Sequence, residues 1–355
     1  MVTPEPHVNG VVGPIEVVGW PASIPKRLAT ADIARIEAKT QDFRAVDYQY
    51  GGGACHDAVV AFLSRSRRLL GVAAADVVTD RLHVALADLH NLAGWTAFDI
   101  HRLDATGTHL DQALTLARKG RNDDLIANLS YRRGRIHLHH GNPEQALAEF
   151  AVGHHAARTS GSTLAAAILH ANQAWASAKL GRTEDTLRHL ANSMTDFART
   201  TAATAPAWAE FFDSTDLSAM SGVIYTELAQ TVDPAYTRYA IPALTIAADG
   251  YGPAMTRSRL FVLIALATSH LLQDDTDHAA TVGTEAIKLA ETLRSTRVHD
   301  RLLPLKREAD RRRDNINARE LSEQIVTFTT TQPSFRWTAN PPRNPNHSRL
   351  GTPEP

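Results

Sequence analysis

Apolar and small residues recur at helical spacing through most of the chain from about residue 28 to 327, with polar residues between them, the pattern of helices that each bury one face. Between residues 81 and 197 the pattern itself repeats. Gly94, Gly134 and Ala174 stand 40 residues apart, as do Gly141 and Gly181, and Trp95 and Trp175 lie two such periods apart. The run GNPEQAL from Gly141 aligns with GRTEDTL from Gly181. A repeat of this length that reads helix, turn, helix predicts a solenoid, because no single unit can bury its apolar face and neighbours must stack to share a core. Two looser units follow. One has Gly222 and Tyr225 on its first helix and the other runs over 260–272 and 278–293, their spacings stretched to 48 and 45 by the longer connections 203–208 and 249–253.

The flanks read differently. Residues 1–26 hold Pro4, Pro6, Pro14 and Pro21 with Gly10, Gly13 and Gly19, which excludes a long helix and predicts a disordered or extended leader. Residues 27–79 form an expected N-terminal helical cap. Thr30 is the predicted N-cap of a helix carrying Ile33, Ile36 and Phe43, and Gly51, Gly52 and Gly53 are predicted to turn the chain by supplying positive φ. A phosphate-cradling loop is the competing reading of these glycines, but no strand pattern precedes them and neither a GK[ST] element nor G-x-G-x-x-G spacing is present. The next helix, over 57–70, carries Arg65, Arg67 and Arg68 as a solvated face. The array is expected over 80–295. Charged helices over 296–310 and 315–328 are expected to close it as a polar cap, with a disordered, proline-rich tail over 329–355.

Charge and chemistry narrow the function more than they define it. Lys and Arg total 37 against 38 for Asp and Glu, so no excess of positive charge draws the chain to a phosphate backbone. The single cysteine, Cys55, excludes a disulfide framework and, with no secretory leader and no apolar run of about 18 residues, predicts a cytoplasmic protein. Cys55 and His56 are adjacent on a helix and therefore point apart, so a packed thiol is expected and not a dyad. Among 17 histidines, His137 and His140 have a spacing that two metal ligands can share, with His154 on the facing helix, yet no clustered carboxylate completes a ligand shell. No nucleophile elbow, Walker motif or dinucleotide fingerprint is found. The expectation is a protein that is not an enzyme and has no cofactor or metal, with a metal-dependent enzyme as a distant alternative.

The repeat positions match the tetratricopeptide pattern: small residues at the helix crossing (Gly94, Gly134, Ala174), an apolar anchor on each second helix (Leu110, Phe150, Leu190), and Ala113 at the late small position. The fold class expected is all-α, a TPR-like right-handed superhelical solenoid of about five helix pairs with helical caps. Further stretches are more specific: RLATADI from Arg27, DYQYGGGAC from Asp47, LHNLAGWTAFD from Leu89, QALTLA from Gln112, WAEFFD from Trp208 and LRSTRV from Leu293. Through these the chain resembles, over about residues 27–327, the tetratricopeptide-containing regulatory proteins common in actinomycetes. The resemblance implies a sensing or partner-binding array that commonly follows an XRE-type helix-turn-helix; the 26 residues before Arg27 are too few and too rich in Pro and Gly to hold one. Two smaller departures are His56, where relatives usually have Arg, and His101, where a Gly usually turns the chain.

In such an array the first helix of each pair lines the inner curve. The alignment assigns Asp88, Asn91, Trp95 and Asp99 to the groove in the first unit, Asn128, Tyr131, Arg135 and His139 in the second, and Trp175 and Lys179 in the third. Rings for contact area, and amides and charges for hydrogen bonds, suit an extended peptide. Trp95 and Trp175 fit equally as core between pairs, and the sequence leaves both readings open. The leading expectation is a regulator or adaptor that binds a peptide, a protein segment or a signalling molecule. The alternative is a transcriptional regulator acting through a separate DNA-binding partner. Neither a membrane nor direct sequence-specific DNA contact is expected, and a homodimer is left open. The protein alone is predicted to bind duplex DNA only as a salt-sensitive background; a footprint with sequence preference that survives about 200 mM salt overturns this.

Overall fold

The computed structural model describes residues 24–201 and 205–331, in which every regular element is helical. The expected leader and tail lie outside the described residues except at 24–26 and 329–331. Two N-terminal helices, α1 (Thr30–Tyr50) and α2 (His56–Ser66), precede five pairs. These are α3 (Asp76–Asp99) with α4 (Leu103–Lys119), α5 (Asp123–His139) with α6 (Pro143–Ser160), and α7 (Thr163–Lys179) with α8 (Thr183–Ala198), then α9 (Ser214–Thr231) with α10 (Thr237–Gly250) and α11 (Thr256–Leu272) with α12 (Thr276–Ala290). Helices α13 (Arg297–Asp310) and α14 (Ile316–Thr331) complete the chain. The protein is an all-α helical-repeat solenoid. No helix among the described residues is long and apolar enough to cross a membrane.

Local chemistry accounts for the boundaries. Asn122, Ser162, Asp213 and Asp275 each cap a helix by accepting a backbone N–H from its first turn, and Pro143 opens α6 where its missing N–H costs nothing. Thr30 is the first residue of α1 and not its cap; Ala29 holds the cap position and donates its N–H to Asp32 at 2.9 Å. The first array helix starts at Asp76, four residues ahead of the expected boundary, and α14 runs on to Thr331. At the turns after α3, α5 and α7, His101, Gly141 and Gly181 occupy one repeat position, with φ of 63, 75 and 67°. The first repeat therefore holds a left-handed conformation with a histidine where the others use glycine.

Each pair is locked by a small residue facing a large one. A Cβ at Gly94 would press on Leu110, one at Gly134 would enter the Phe150 ring, and Ala174 and Leu190 are both fully buried. The apolar core forms three clusters linked through Ile126 and through Val223 and Tyr225, spread along the array as stacking demands.

The two ends of the array meet. Helix α14 packs against α12 and α13, but the segment leading into α13 does not cap an open stack; it returns to the N-terminal helices. Arg294 donates its N–H to the Tyr50 carbonyl at 2.9 Å and accepts the Gly53 N–H at 3.0 Å, while Thr296 gives its N–H and hydroxyl to the Asp99 carbonyl. This explains the three glycines. Only Gly51 has positive φ, whereas a Cβ at Gly52 would lie 2.8 Å from the Asp99 Cβ and one at Gly53 2.7 Å from the Arg294 carbonyl oxygen. The amide cradle does hold an anion, the chain's own: Gly52 N–H donates to the Asp99 carboxylate at 2.7 Å.

The Asp99 carboxylate, wholly buried, also accepts the Ser295 hydroxyl at 2.9 Å and Arg297 Nε at 2.6 Å. Arg257 lies 3.8 Å away and forms a two-point pair with Asp47 at 2.7 and 2.8 Å. Burial alone would raise the Asp99 pKa; Arg297, Arg257 and the Gly52 amide overcome it and hold the carboxyl below the usual range. Asp99→Ala leaves Arg297 buried without its carboxylate and is expected to cost about 3 to 5 kcal/mol in denaturant unfolding. The wild-type contribution is complete above the unfolded carboxylate pKa of about 3.9 and lost as pH falls below it, so the gap between the two proteins should narrow in acid. A gap independent of acid would place the energy elsewhere.

Candidate functional site

Closure converts the inner curve into a central chamber of about 520 Å³. Its wall is built from one face of each first helix, at three- and four-residue spacing: Asn128, Tyr131, Arg132 and Arg135 on α5, Asn172, Trp175 and Lys179 on α7, Met220, Val223 and Glu227 on α9, Arg257, Phe261 and Ala265 on α11. Trp95 joins them from α3 and Tyr48 from α1, and α13 borders the chamber with Arg297, Arg301 and Arg307, followed by Arg311 just past its end. Exposed Gln230, Arg307 and Arg311 mark where the chamber meets solvent.

Six of the ten sequence-assigned residues, Trp95, Asn128, Tyr131, Arg135, Trp175 and Lys179, line this chamber. The other four do not. Asp88 pairs with Arg44 at 2.7 Å on the side of α1, and Asn91 is buried between Asn128 and Arg132. Asp99 is consumed by the closure, and His139 is held by Asp300 of α13 at 3.0 Å with its ring against Phe98. Asp88 and His139 are engaged by α1 and α13 and Asp99 by the segment entering α13, whereas Asn91 is taken up by the neighbouring helix α5. The two tryptophans satisfy both readings at once, each largely buried yet contributing to the wall. Trp175 donates its indole N–H to Glu227 at 3.1 Å and carries the guanidinium groups of Arg135 and Arg301 at 4.8 and 4.7 Å from its ring; Trp95 carries Arg132 and Arg297 at 5.1 and 4.6 Å.

The wall residues that the sequence assignment missed are of two kinds: first-helix residues such as Arg132, Asn172, Glu227 and Phe261, and residues outside the paired helices, namely Tyr48, Phe211 and Phe212 of WAEFFD, and the arginines of α13. Asp216 is buried beside Tyr251, whose hydroxyl donates to it at 2.8 Å. Burial raises its pKa to about 7, against the Tyr251 hydrogen bond, with nearby Asp213 adding to the rise.

Outside the chamber, His154 faces His170 at a ring separation of 4.0 Å with His189 beyond, and not His137 or His140. Burial and His170 lower the His154 pKa to about 4. Among the described residues, one group has metal-like spacing, His270, Asp275 and His278 at the α11–α12 turn; Asp275 already caps α12 and accepts from both rings. Cys55 is buried, its thiol pKa pushed up by that burial.

The class defined by this geometry is the helical-repeat protein with a central chamber that opens to solvent at one side. Neither a protein-family model nor a curated protein matches the chain.

A pH dependence follows from Asp216. Its folded pKa of about 7 exceeds the unfolded value of about 3.9, so the folded state binds the extra proton between them and its stability falls as pH rises through that window. Melting temperature is expected to drop from about pH 5 to pH 8 in the wild type, and Asp216→Asn, which keeps a hydrogen-bonding oxygen without the charge, should flatten that part of the curve. An unchanged slope in the variant assigns the titration to another group.

Proposed function

We propose that this protein is a non-enzymatic receptor, a regulatory or adaptor protein that encloses a signalling molecule or a short, compact peptide in its central chamber. The observation that carries this reading is the closure through Asp99: it turns five first-helix faces into the wall of one cavity, of a size that surrounds a small ligand. An extended protein segment lying along an open groove is disfavoured, because α13 occupies the path it would take. The resemblance to actinomycete regulators supports the same reading, since the array is their sensing half. Such a receptor acts by differential affinity: a ligand that fills the chamber favours the closed arrangement of α13 over any opened one.

The test is thermal. A small-molecule and short-peptide extract of the native cells is expected to raise the melting temperature of the wild type and not that of Ala265→Trp, whose added ring fills the chamber while circular dichroism stays helical. Once the ligand is isolated, Tyr131→Ala and Arg135→Ala should each weaken it by about 2 kcal/mol or more in folded protein. Equal shifts in wild type and Ala265→Trp, or no shift in either, overturn the proposal.

A further inference from the structure

The charges of the chamber do not cancel, and the imbalance is local. Lys179 pairs with Glu227 at 2.9 Å, Arg257 with Asp47, Arg297 with Asp99 and Arg311 with Glu308. Arg132 is buried and satisfied by the Asn91 carbonyl at 2.8 Å and side-chain oxygen at 3.1 Å, with no carboxylate in ion-pair range among the described residues. Among the described residues Arg135 hydrogen-bonds only to the Asn172 side-chain oxygen, at 3.2 Å, and the Met220 sulfur, at 3.9 Å, and also lies against the Tyr131 ring. Arg301 has no hydrogen bond and no ion pair among the described residues; its guanidinium rests on the rings of Trp175 and Phe261 at 4.7 and 5.6 Å. Arg135 and Arg301 thus both rest against one indole, with Lys179 5.6 Å from the same ring, and the Arg135 charge is felt at Arg301.

That arrangement is costly as it stands. A half-buried cation without an ion pair loses part of its hydration, which ring contact restores only in part, and a second cation nearby adds repulsion. Burial, then Arg135 and Arg297, lower the Arg301 pKa to about 9, so the group is strained electrostatically even while it stays charged at neutral pH. Burial and Arg44 likewise bring Arg132 down to about 10. An anion bound in the chamber beside these guanidinium groups offsets the cost, and guanidinium presents paired N–H donors that match a carboxylate or phosphate. The surrounding wall is aromatic and aliphatic, with Trp95, Tyr131, Trp175, Phe261, Ile168 and Val223.

We propose that Arg135 and Arg301, set over Trp175, form the acid-binding subsite of the chamber, and that its ligand is a small organic anion with one carboxylate or phosphate head on a flat, apolar body. The inference rests on the receptor reading and adds the chemical class of the ligand. Glu227 bounds the subsite: it is already engaged by Lys179 and the Trp175 indole, and its charge also acts on Arg301.

The test uses three probes with one ring system: 2-naphthoate, 2-naphthyl phosphate and uncharged 2-naphthalenemethanol, titrated calorimetrically into the full chain. At least one anion is expected to bind the wild type on the order of 10- to 100-fold more tightly than the alcohol, the range of a charge-assisted hydrogen bond. Which of the two anions wins identifies the head group. In Arg301→Gln that preference should vanish while the alcohol binds as before, a split that a merely structural arginine would not produce. Inorganic phosphate should also raise the wild-type melting temperature above chloride at equal ionic strength, and should not do so in Arg301→Gln. If the alcohol binds the wild type as tightly as both anions and Ala265→Trp abolishes all three, the acid subsite is overturned and the chamber stands. If none of the probes binds, the acid subsite is likewise overturned, and the extract experiment judges the chamber independently.

Discussion

Asp99 is the constraint on which the architecture depends. A carboxylate with no exposure to water is tolerable only when every oxygen lone pair in reach has a donor, and here the donors come from distant parts of the chain: the Gly52 amide, the Ser295 hydroxyl and Arg297. Until all three arrive the charge is a liability. The cluster therefore acts less as a source of net stability than as a condition on geometry, satisfied by one relative placement of α1, α3 and the entry to α13. The glycines at 52 and 53 belong to the same condition, since a single Cβ there would hold the two ends apart.

The chamber inverts this logic. At the closure, cations and carboxylates are matched almost group for group; in the chamber, Arg135 and Arg301 rest against Trp175 without an ion pair among the described residues. The first arrangement is complete in the protein alone, whereas Arg301 has no hydrogen bond or ion pair among the described residues. Asp216 and Tyr251 form a third case, a buried acid kept neutral by its surroundings at mildly acidic pH, so it contributes a polar contact to the wall without adding a fixed negative charge.

Much of the fold was legible in the sequence because its determinants are local and periodic. The register of Gly94, Gly134 and Ala174 against Leu110, Phe150 and Leu190 is one physical contact written three times, and the same register located the wall residues of α5 and α7. The closure was not legible in this way, because Asp47 and Arg257 are 210 positions apart and Asp99 and Arg297 198. A signal existed all the same. Asp47 and Asp99 fall in the last turns of α1 and α3, and Arg257 and Arg297 in the first turns of α11 and α13, each the wrong sign for the helix end it occupies. Four charges set against their own helix dipoles point to a partner outside the helix, and pairing them recovers the ring. Assigning Asp99 and His139 to an open groove followed from treating each repeat as if it saw only its neighbours.

Joining the ends changes how the array comes apart. In an open solenoid stability is nearly additive along the stack, terminal repeats fray first, and a lesion at one end is scarcely felt at the other. With residues 50–53 bonded to 294, this chain has no terminal repeat in that sense. The loop-closure entropy of more than 200 residues is paid in one step, so opening is cooperative around the whole circumference, and a weakness in any pair is shared by all of them.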